Sequence, residues 1–220
     1  MRLAIGDIHG RDFWKHYIDE DFSEFYFAGD YFDSRNLPFD RQYRNFTEIC
    51  EKARADERLK LCLGNHDYHY LNNVTEVYSS YQRNHAAEIR QILEQNIDML
   101  RVVYVTEDNY IISHAGVSLW FMERMKKSGY ERIEDINTAF IKNRLILKFN
   151  GVNPFGDDIT QSPIWIRPSS LQKEPVPGYN QIAGHTPMHD INTITLPDKK
   201  RGTIGITYID TYDKESIYRF

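Results

Sequence analysis

Five short apolar runs in this chain each end in a motif that combines glycine with aspartate, asparagine or histidine. The first run, Leu3-Ala4-Ile5, continues directly into Gly6-Asp7-Ile8-His9-Gly10. The other four motifs are Gly29-Asp30, Gly64-Asn65-His66-Asp67, His114-Ala115-Gly116 and Gly184-His185-Thr186. Glycine permits tight turns and close approach of neighbouring groups, and carboxylate, amide and imidazole groups are metal ligands. The motifs therefore predict five strand ends that deliver metal-binding side chains.

The segments between the motifs predict a chain in which strands and helices alternate. A short helix is expected over 11–18, and apolar residues at helical spacing predict a second helix over 41–55. A longer amphipathic stretch, from about 74 to 100, is expected to form a packing face. Strands are expected at 24–28, 59–63, 101–105, 110–113, 181–183, 191–196, 203–210 and 216–220.

This order of elements predicts an α/β fold, a layered sandwich of mixed β-sheets flanked by helices. Parallel βαβ units are expected early and antiparallel strands late. Between about 117 and 179 helical patterns replace strands, so we expect a helical and loop insertion over the site within a single domain spanning 1–220. A chain of 220 residues with 41% hydrophobic content can bury such a core. Functional loops gather at the carboxyl ends of strands in such sheets, which is where all five motifs lie.

Composition narrows the classes of function. The formal net charge is −5 and both signs are mixed along the chain, so non-specific binding to nucleic acid is not expected. The sequence enters its first strand without an apolar signal segment and has no run of membrane-spanning length. We therefore expect a soluble, cytoplasmic protein with no membrane association. Cys50 and Cys62 lie in helical and strand patterns, which favours buried thiols over a disulfide.

The five motifs, in this order and at these intervals, resemble those of the calcineurin-like metallophosphoesterases. They most resemble the phosphoprotein-phosphatase group, which includes small bacterial and phage serine/threonine phosphatases and the diadenosine tetraphosphate hydrolases. The resemblance runs from residue 6 to residue 187 and includes the longer motif Gly29-Asp30-Tyr31-Phe32-Asp33. One such motif is common in unrelated loops, whereas five in order are specific.

The resemblance implies a centre of two divalent metal ions. Its implied ligands are Asp7 and His9 for the first ion, Asp30 as a bridge, and Asn65, His114 and His185 for the second. Oxygen and imidazole donors without cysteine suit Mn²⁺ first, with Fe or Zn²⁺ as alternatives. The implied reaction is the hydrolysis of a phosphate ester by direct attack of a metal-bridging hydroxide, with no covalent phosphoenzyme.

The resemblance also implies a catalytic pair. His66 would be the general acid that protonates the leaving oxygen, and Asp33 would hold its imidazole in the required tautomer. We therefore expect that His66→Asn would keep both metal ions while losing turnover on poor leaving groups. His69 has no motif partner but is close enough in sequence to lie near the site.

Phosphate recognition departs from the family pattern. The family usually has an arginine directly after the aspartate that matches Asp33, and this chain has Ser34-Arg35 there. Arg35 could still reach the phosphate from a loop displaced by one residue. Arg167 resembles an arginine of small bacterial members, and a guanidinium matches the geometry of a phosphate. Arg35 and Arg167 are therefore the candidate phosphate-binding residues.

Single residues of the set have ordinary structural explanations. A lone histidine such as His114 is commonly a satisfied buried side chain, and Asp30 fits an Asx turn. Coincidence at five strand ends is a weaker explanation than a shared site. The expected partner is accordingly a phosphorylated substrate, a phosphoprotein or a nucleotide.

Three functions remain open at this point. The first is a phosphomonoesterase that acts on phosphorylated Ser, Thr or Tyr. The second is a hydrolase of dinucleoside polyphosphates or other nucleotides, which the insertion at 117–179 would distinguish from the first. The third is a non-catalytic binding platform of the same fold, which would be expected to lack ligands or the acid.

Overall fold

The first sheet is built around three parallel strands, β1 (Arg2–Ile5), β2 (Glu24–Phe27) and β3 (Leu59–Cys62). The computed structural model describes residues 1–153, 155–211 and 214–220. At one edge β4 (Leu100–Arg101) pairs parallel with β3, and at the other β10 (Ile217–Arg219) pairs antiparallel with β1. The resulting order, β10-β1-β2-β3-β4, has the parallel units expected early in the chain.

The second sheet lies against the first. Its strands are β5 (Val103–Val105), β6 (Tyr110–Ser113), β7 (Asn180–Ala183), β8 (Asn192–Asp198) and β9 (Gly202–Tyr208), in the order β5-β6-β7-β9-β8. Strands β6, β7 and β9 are parallel, whereas β5 and β8 pair antiparallel at the two edges. The predicted layered sandwich of mixed sheets flanked by helices is confirmed.

The side chains on the two faces of the first sheet belong to two different buried clusters. Ala4 and Cys62 belong to a buried cluster that also contains Ile112 on β6 and Ile182 on β7. On the other face, residues such as Phe27 join the main cluster with the helices. Because successive side chains of a strand point to opposite faces, one layer of residues joins the sheets and another anchors the helices.

The helices largely follow the sequence periodicity. Helix α1 (Phe39–Ala55) confirms the helix predicted over 41–55, and a 3₁₀ turn at Phe13–His16 lies where a short helix was expected. A single turn, α2 (Asn65–Tyr68), begins within the third motif. Cys50 on α1 and Cys62 on β3 are both buried free thiols, as predicted.

The segment between β6 and β7 contains further helices, where a helical insertion is expected. They are α4 (Leu119–Lys127), α5 (Asp135–Lys142) and α6 (Pro168–Leu171), with a 3₁₀ turn at Arg144–Leu147. Leu171 of α6 packs with Ile206 and Tyr208 of β9. In the described part of the chain, no helix is both long enough and apolar enough to cross a membrane.

The amphipathic stretch expected from about 74 to 100 is helical only in its second half. A 3₁₀ turn at Arg83–His85 leads into α3 (Ala86–Gln95), and residues 74–82 are irregular. Ser80 has a φ of 66°, which a helix does not accommodate. The backbone N–H groups of Tyr78 and Gln82 donate to side chains at 69 and 70 instead of to helical carbonyls. Tertiary hydrogen bonds therefore replace the helix that the periodicity predicts.

The strand expected at 101–105 is divided between the two sheets. The backbone N–H groups of Val102 and Val103 both donate to Asn137 Oδ1, at 2.8 and 3.1 Å, and Asn137 Nδ2 donates to the Val103 carbonyl at 2.9 Å. Asn137 lies on α5, so a side chain from the insertion satisfies the backbone where the chain passes from one sheet to the other.

The loops after β2 and β3 are held together by the buried carboxylate of Asp67. Its Oδ2 accepts hydrogen bonds from the backbone N–H groups of Asp30 and Gly64, at 2.8 and 3.0 Å. Its Oδ1 accepts a third from the N–H of Tyr31 at 2.8 Å. Three otherwise unsatisfied backbone donors thus depend on one side chain.

We predict that Asp67→Ala lowers the free energy of unfolding by about 3 kcal/mol, because three buried backbone donors lose their acceptor. Urea unfolding followed by circular dichroism measures the change. The control is Asp98→Ala, which removes an exposed carboxylate 3.8 Å from Arg54 and should cost less than about 1 kcal/mol. Equal losses in the two variants would contradict the role assigned to Asp67.

Candidate metal centre and active site

The five motifs meet at the line where the carboxyl ends of the two sheets adjoin. His185, which follows β7, donates its backbone N–H to Asp7 Oδ1 at 3.0 Å, and Asp7 follows β1 in the other sheet. Within the first sheet, the N–H of His66 donates to Asp30 Oδ1 at 2.9 Å. The strands that precede the motifs are parallel within each sheet, so their ends and the motifs that follow them come together.

Two glycines make room for the carboxylates. A Cβ at Gly64 would lie 2.1 Å from Asp30 Oδ1, and a Cβ at Gly184 would lie 2.1 Å from Asp7 Oδ1. Both separations are far below van der Waals contact. Any larger residue at these two positions would displace a carboxylate from the site.

The first group of donors consists of Asp7, His9 and Asp30. The Nδ1–H of His9 donates to the Phe32 carbonyl at 2.6 Å, which leaves Nε2 facing Asp30 Oδ2 at 3.7 Å. His9 and Asp30 have φ angles of 42° and 53°. Left-handed backbone is costly for non-glycine residues and is found where the surroundings impose it, often at functional sites.

The second group is Asn65, His114 and His185. Asn65 Oδ1 lies 2.8 Å from His114 Nε2 and 2.9 Å from His185 Nδ1. The Nδ1–H of His114 donates to the Ala28 carbonyl at 2.9 Å, so its Nε2 presents a lone pair to the amide oxygen. His114 Nε2 also lies 3.5 Å from Asp30 Oδ2. The carboxylate of Asp30 therefore lies between the two groups.

Burial shifts the pKa values of the histidines and aspartates in both groups. It lowers the pKa of His9 to about 4 and that of His114 to about 3, and it strongly lowers the pKa of His185. Burial, with repulsion from neighbouring carboxylates, raises the pKa values of Asp7 and Asp30 well above the ordinary range. Neutral imidazoles are therefore crowded against acids that resist ionisation.

A divalent cation among these donors would relieve two repulsions, one between carboxylates and one between lone pairs. It would compensate the repulsion between the carboxylates, and it would separate the lone pairs of His114 Nε2 and Asn65 Oδ1. Neutral imidazoles also bind metal without first losing a proton. Ligand atoms of Asp7, Asp30 and His114 all lie within 4.8 Å of one another. The donor set fits a metal centre of oxygen and nitrogen ligands.

His66 and Asp33 form a pair beside these donors. His66 Nδ1 lies 2.9 Å from Asp33 Oδ2, and the His66 ring makes an edge contact with His9, with centroids 5.5 Å apart. Asp33 is buried and has a φ of 64°. Although burial acts in the opposite direction, hydrogen bonds from His66 and His69 lower the pKa of Asp33 to about 2. The pair has the arrangement of a carboxylate that orients an imidazole.

Both candidate arginines line the cleft over the site, which has a volume of about 580 Å³. The half-buried Arg167 donates from Nη1 to Thr186 Oγ1 and from Nε to the Phe155 carbonyl, both at 3.0 Å. Arg35 is exposed at the rim, where its Nε donates to Ser80 Oγ at 3.2 Å. Arg167 is thus held in place by the fold, whereas Arg35 has a single side-chain anchor.

Three further residues near the site carry no assignment from the sequence. Asp210 follows β9 and lines the same cleft, and burial raises its pKa to about 6. Arg11 donates from Nη2 to the Asp7 carbonyl at 2.5 Å. His69 Nε2 lies 2.7 Å from Asp33 Oδ2. Asp210 could have been found as a sixth strand end with an acid, and His69 lies near the site, as its closeness in sequence to His66 predicts.

Comparison with known proteins identifies the family. The family model for the calcineurin-like phosphoesterases matches residues 2–202, and the chain belongs to this family. The fold and the site thus define a phosphoesterase. A search of curated proteins finds no significant match.

Two solved structures show the likeness of the fold. A cold-active protein-tyrosine phosphatase of a psychrophilic Shewanella species shares 17% identity with a TM-score of 0.59, and the alignment covers 96% of this chain and 70% of that chain. A protein serine/threonine phosphatase from Saccharomyces cerevisiae shares 13% identity with a TM-score of 0.51, with 95% and 67% covered.

The low pKa of His114 predicts that this histidine contributes to destabilisation of the metal-free protein in acid. The imidazole titrates near 6.5 in the unfolded chain but near 3 when folded. Protons therefore bind the unfolded chain preferentially as the pH falls below about 6.5. Between pH 7 and pH 5 this histidine should cost the folded state about 2 kcal/mol.

The measurement is urea unfolding at pH 7 and pH 5 in the presence of a chelator. Because the buried carboxyls titrate in the opposite sense, wild type is compared with His114→Gln. The variant should lose about 2 kcal/mol less over this interval. An equal loss in both proteins would show that His114 is protonated as readily in the folded chain as in the unfolded one.

Proposed function

We propose that this protein is a metal-dependent phosphomonoesterase that acts on phosphorylated proteins. The observation that supports this most directly is that the His66–Asp33 pair, Arg167 and five of the six candidate ligands line one cleft, while the sixth ligand, His114, is fully buried. A metal centre, a proton donor and a phosphate-binding cation are the parts that hydrolysis of a phosphate ester needs. The two structures of similar fold are named as protein phosphatases.

In this proposal Asp30 bridges two metal ions. The remaining ligands would be Asp7 and His9 for the first ion and Asn65, His114 and His185 for the second. When bound, two divalent ions would neutralise the phosphoryl oxygens and lower the pKa of a bound water. Mn²⁺ is the first candidate, with Fe or Zn²⁺ as alternatives, because the donors are oxygens and imidazoles.

The chain's own residues then have distinct tasks. Asp33 accepts the Nδ1–H of His66, which leaves Nε2 to carry the proton that the leaving oxygen takes up as the phosphorus–oxygen bond breaks. The guanidinium of Arg167 binds phosphoryl oxygens, and Arg35, which lines the same cleft, is the second candidate for this role. Trp165 and Tyr78 form an aromatic part of the cleft wall.

Metal analysis combined with a substrate panel tests the function. We expect two metal ions per chain and Mn²⁺-dependent turnover of p-nitrophenyl phosphate and of phosphopeptides. A dinucleoside tetraphosphate, assayed with and without Mn²⁺, tests the alternative. Preferred turnover of the tetraphosphate would indicate that the substrate is a nucleotide and not a protein. Absence of metal and of all turnover would favour a binding platform.

His66→Asn tests the proton donor separately from the metal centre. We expect the variant to retain both ions and to lose turnover of esters with poor leaving groups by about a hundredfold. Asp30→Asn is the comparison, because it should lose metal as well as activity. Metal loss in His66→Asn would contradict the assignment of His66 as the acid.

A further inference from the structure

The carboxylate of Asp33 is the centre of a larger network than the catalytic pair requires. Its Oδ2 lies 2.9 Å from His66 Nδ1 and 2.7 Å from His69 Nε2. Its Oδ1 accepts from the Tyr70 hydroxyl at 2.5 Å and from Gln82 Nε2 at 3.3 Å. The proposed function accounts for the contact with His66 and leaves the others unexplained.

Neighbouring backbone groups determine the direction of the additional hydrogen bonds. The N–H of Tyr78 donates to His69 Nδ1 at 3.2 Å, so the proton of the neutral His69 ring resides on Nε2 and faces Asp33. The N–H of Gln82 donates to the Tyr70 oxygen at 2.7 Å, so the Tyr70 proton is directed at Asp33. Tyr70 is therefore a hydrogen-bond donor to the carboxylate, whereas His69 holds its Nε2–H beside Oδ2 in a close polar contact outside hydrogen-bond geometry.

Both side chains are themselves held rigidly. His69 and Tyr70 are buried, and their rings make an edge contact at 4.4 Å between centroids. The His69 ring stacks on Tyr78 at 5.1 Å, and the Tyr70 ring stacks on Tyr81 at 4.6 Å. A carboxylate that accepts from a fixed hydroxyl on Oδ1 and lies against a fixed imidazole on Oδ2 cannot rotate freely, so its direction towards His66 is set in advance.

We propose that His69 and Tyr70 are positioning residues for proton donation by His66, acting through Asp33. They hold the Asp33 carboxylate so that Oδ2 receives the Nδ1–H of His66 and the imidazole presents Nε2 to the leaving oxygen. This inference rests on the proposed function. It assigns a catalytic consequence to buried residues that do not touch the substrate.

The network also connects the proton donor to the wall of the cleft. Tyr78 lines the cleft, and its backbone N–H determines which nitrogen of His69 carries the proton. The irregular segment 74–82 thus supplies both a substrate-facing surface and the support of Asp33. A helix through Tyr78 would direct its N–H to a backbone carbonyl and remove that support.

Two aryl phosphates separate positioning from general stability. Phenyl phosphate has a poor leaving group that needs a proton, whereas 2,4-dinitrophenyl phosphate has a good one that does not. We expect His69→Phe to lower kcat about tenfold or more for phenyl phosphate and less than about twofold for the dinitrophenyl ester. His69→Gln, which keeps an N–H donor near the position of Nε2, should recover part of the loss.

A pair of tyrosine variants provides a matched control. Tyr70→Phe removes the hydroxyl that donates to Asp33 and should lower kcat for phenyl phosphate by about threefold or more. Tyr81→Phe removes a hydroxyl from the adjacent stacked ring and should match wild type on both esters. In a His66→Asn background, His69→Phe should add no further selective loss, because the group it positions is absent.

Proton NMR of protein with ¹⁵N-labelled histidine supplies a readout that does not depend on turnover. His69→Gln should shift the downfield resonance of the His66 Nδ1–H, and Tyr81→Phe should leave it unchanged. Two results would overturn this inference without affecting the proposed function. One is an equal loss of turnover on both esters that adds to the loss caused by His66→Asn, and the other is an unchanged His66 resonance. No turnover of either ester by the metal-loaded wild type would overturn the proposed function and the inference with it.

Discussion

The crowding of two buried carboxylates, Asp7 and Asp30, is the constraint on which the rest of this site depends. Each lies after a central strand of the first sheet, and each occupies space that a Cβ at Gly184 or Gly64 would fill. Burial raises the pKa values of both carboxyls, and repulsion from Asp210 adds to the effect at Asp7 while repulsion from Asp7 adds to it at Asp30. Folding brings these acids together at an energetic cost that a bound cation would offset, which is how metal sites couple to stability.

The loops that carry the donors also have strained backbone conformations, which are a second energetic cost. His9, Asp30, Asp33 and His185 all have positive φ angles, between 42° and 65°. Such conformations persist only where surrounding contacts impose them. Asp67 supplies one set of these contacts by accepting three backbone N–H groups, including that of Asp30. The strain and the contacts that hold it are therefore located in the same loops as the candidate chemistry.

Two aspartates, Asp67 and Asp33, organise the site in different ways. Among the residues that the structure describes, Asp67 accepts from backbone N–H groups alone and fixes where the loops lie. Over the same residues Asp33 accepts from side chains alone, and so the direction of His66 depends on what surrounds it. This division separates the residue that positions the loops from the residue that contacts the His66 imidazole.

The sequence by itself determined the sandwich fold, the family and the set of residues that meet at the strand ends. These follow from local signals, because an apolar run ending in glycine and a ligand side chain specifies both a strand and its functional end. Only the tertiary structure decided that residues 74–82 are irregular, that the chain changes sheets at Val102, and that His69 supports Asp33. In each case the deciding partner is distant in sequence or is a side chain that competes with a helical hydrogen bond. Periodicity indicates which face of a segment is apolar, but not which backbone N–H groups will donate to side chains elsewhere in the fold.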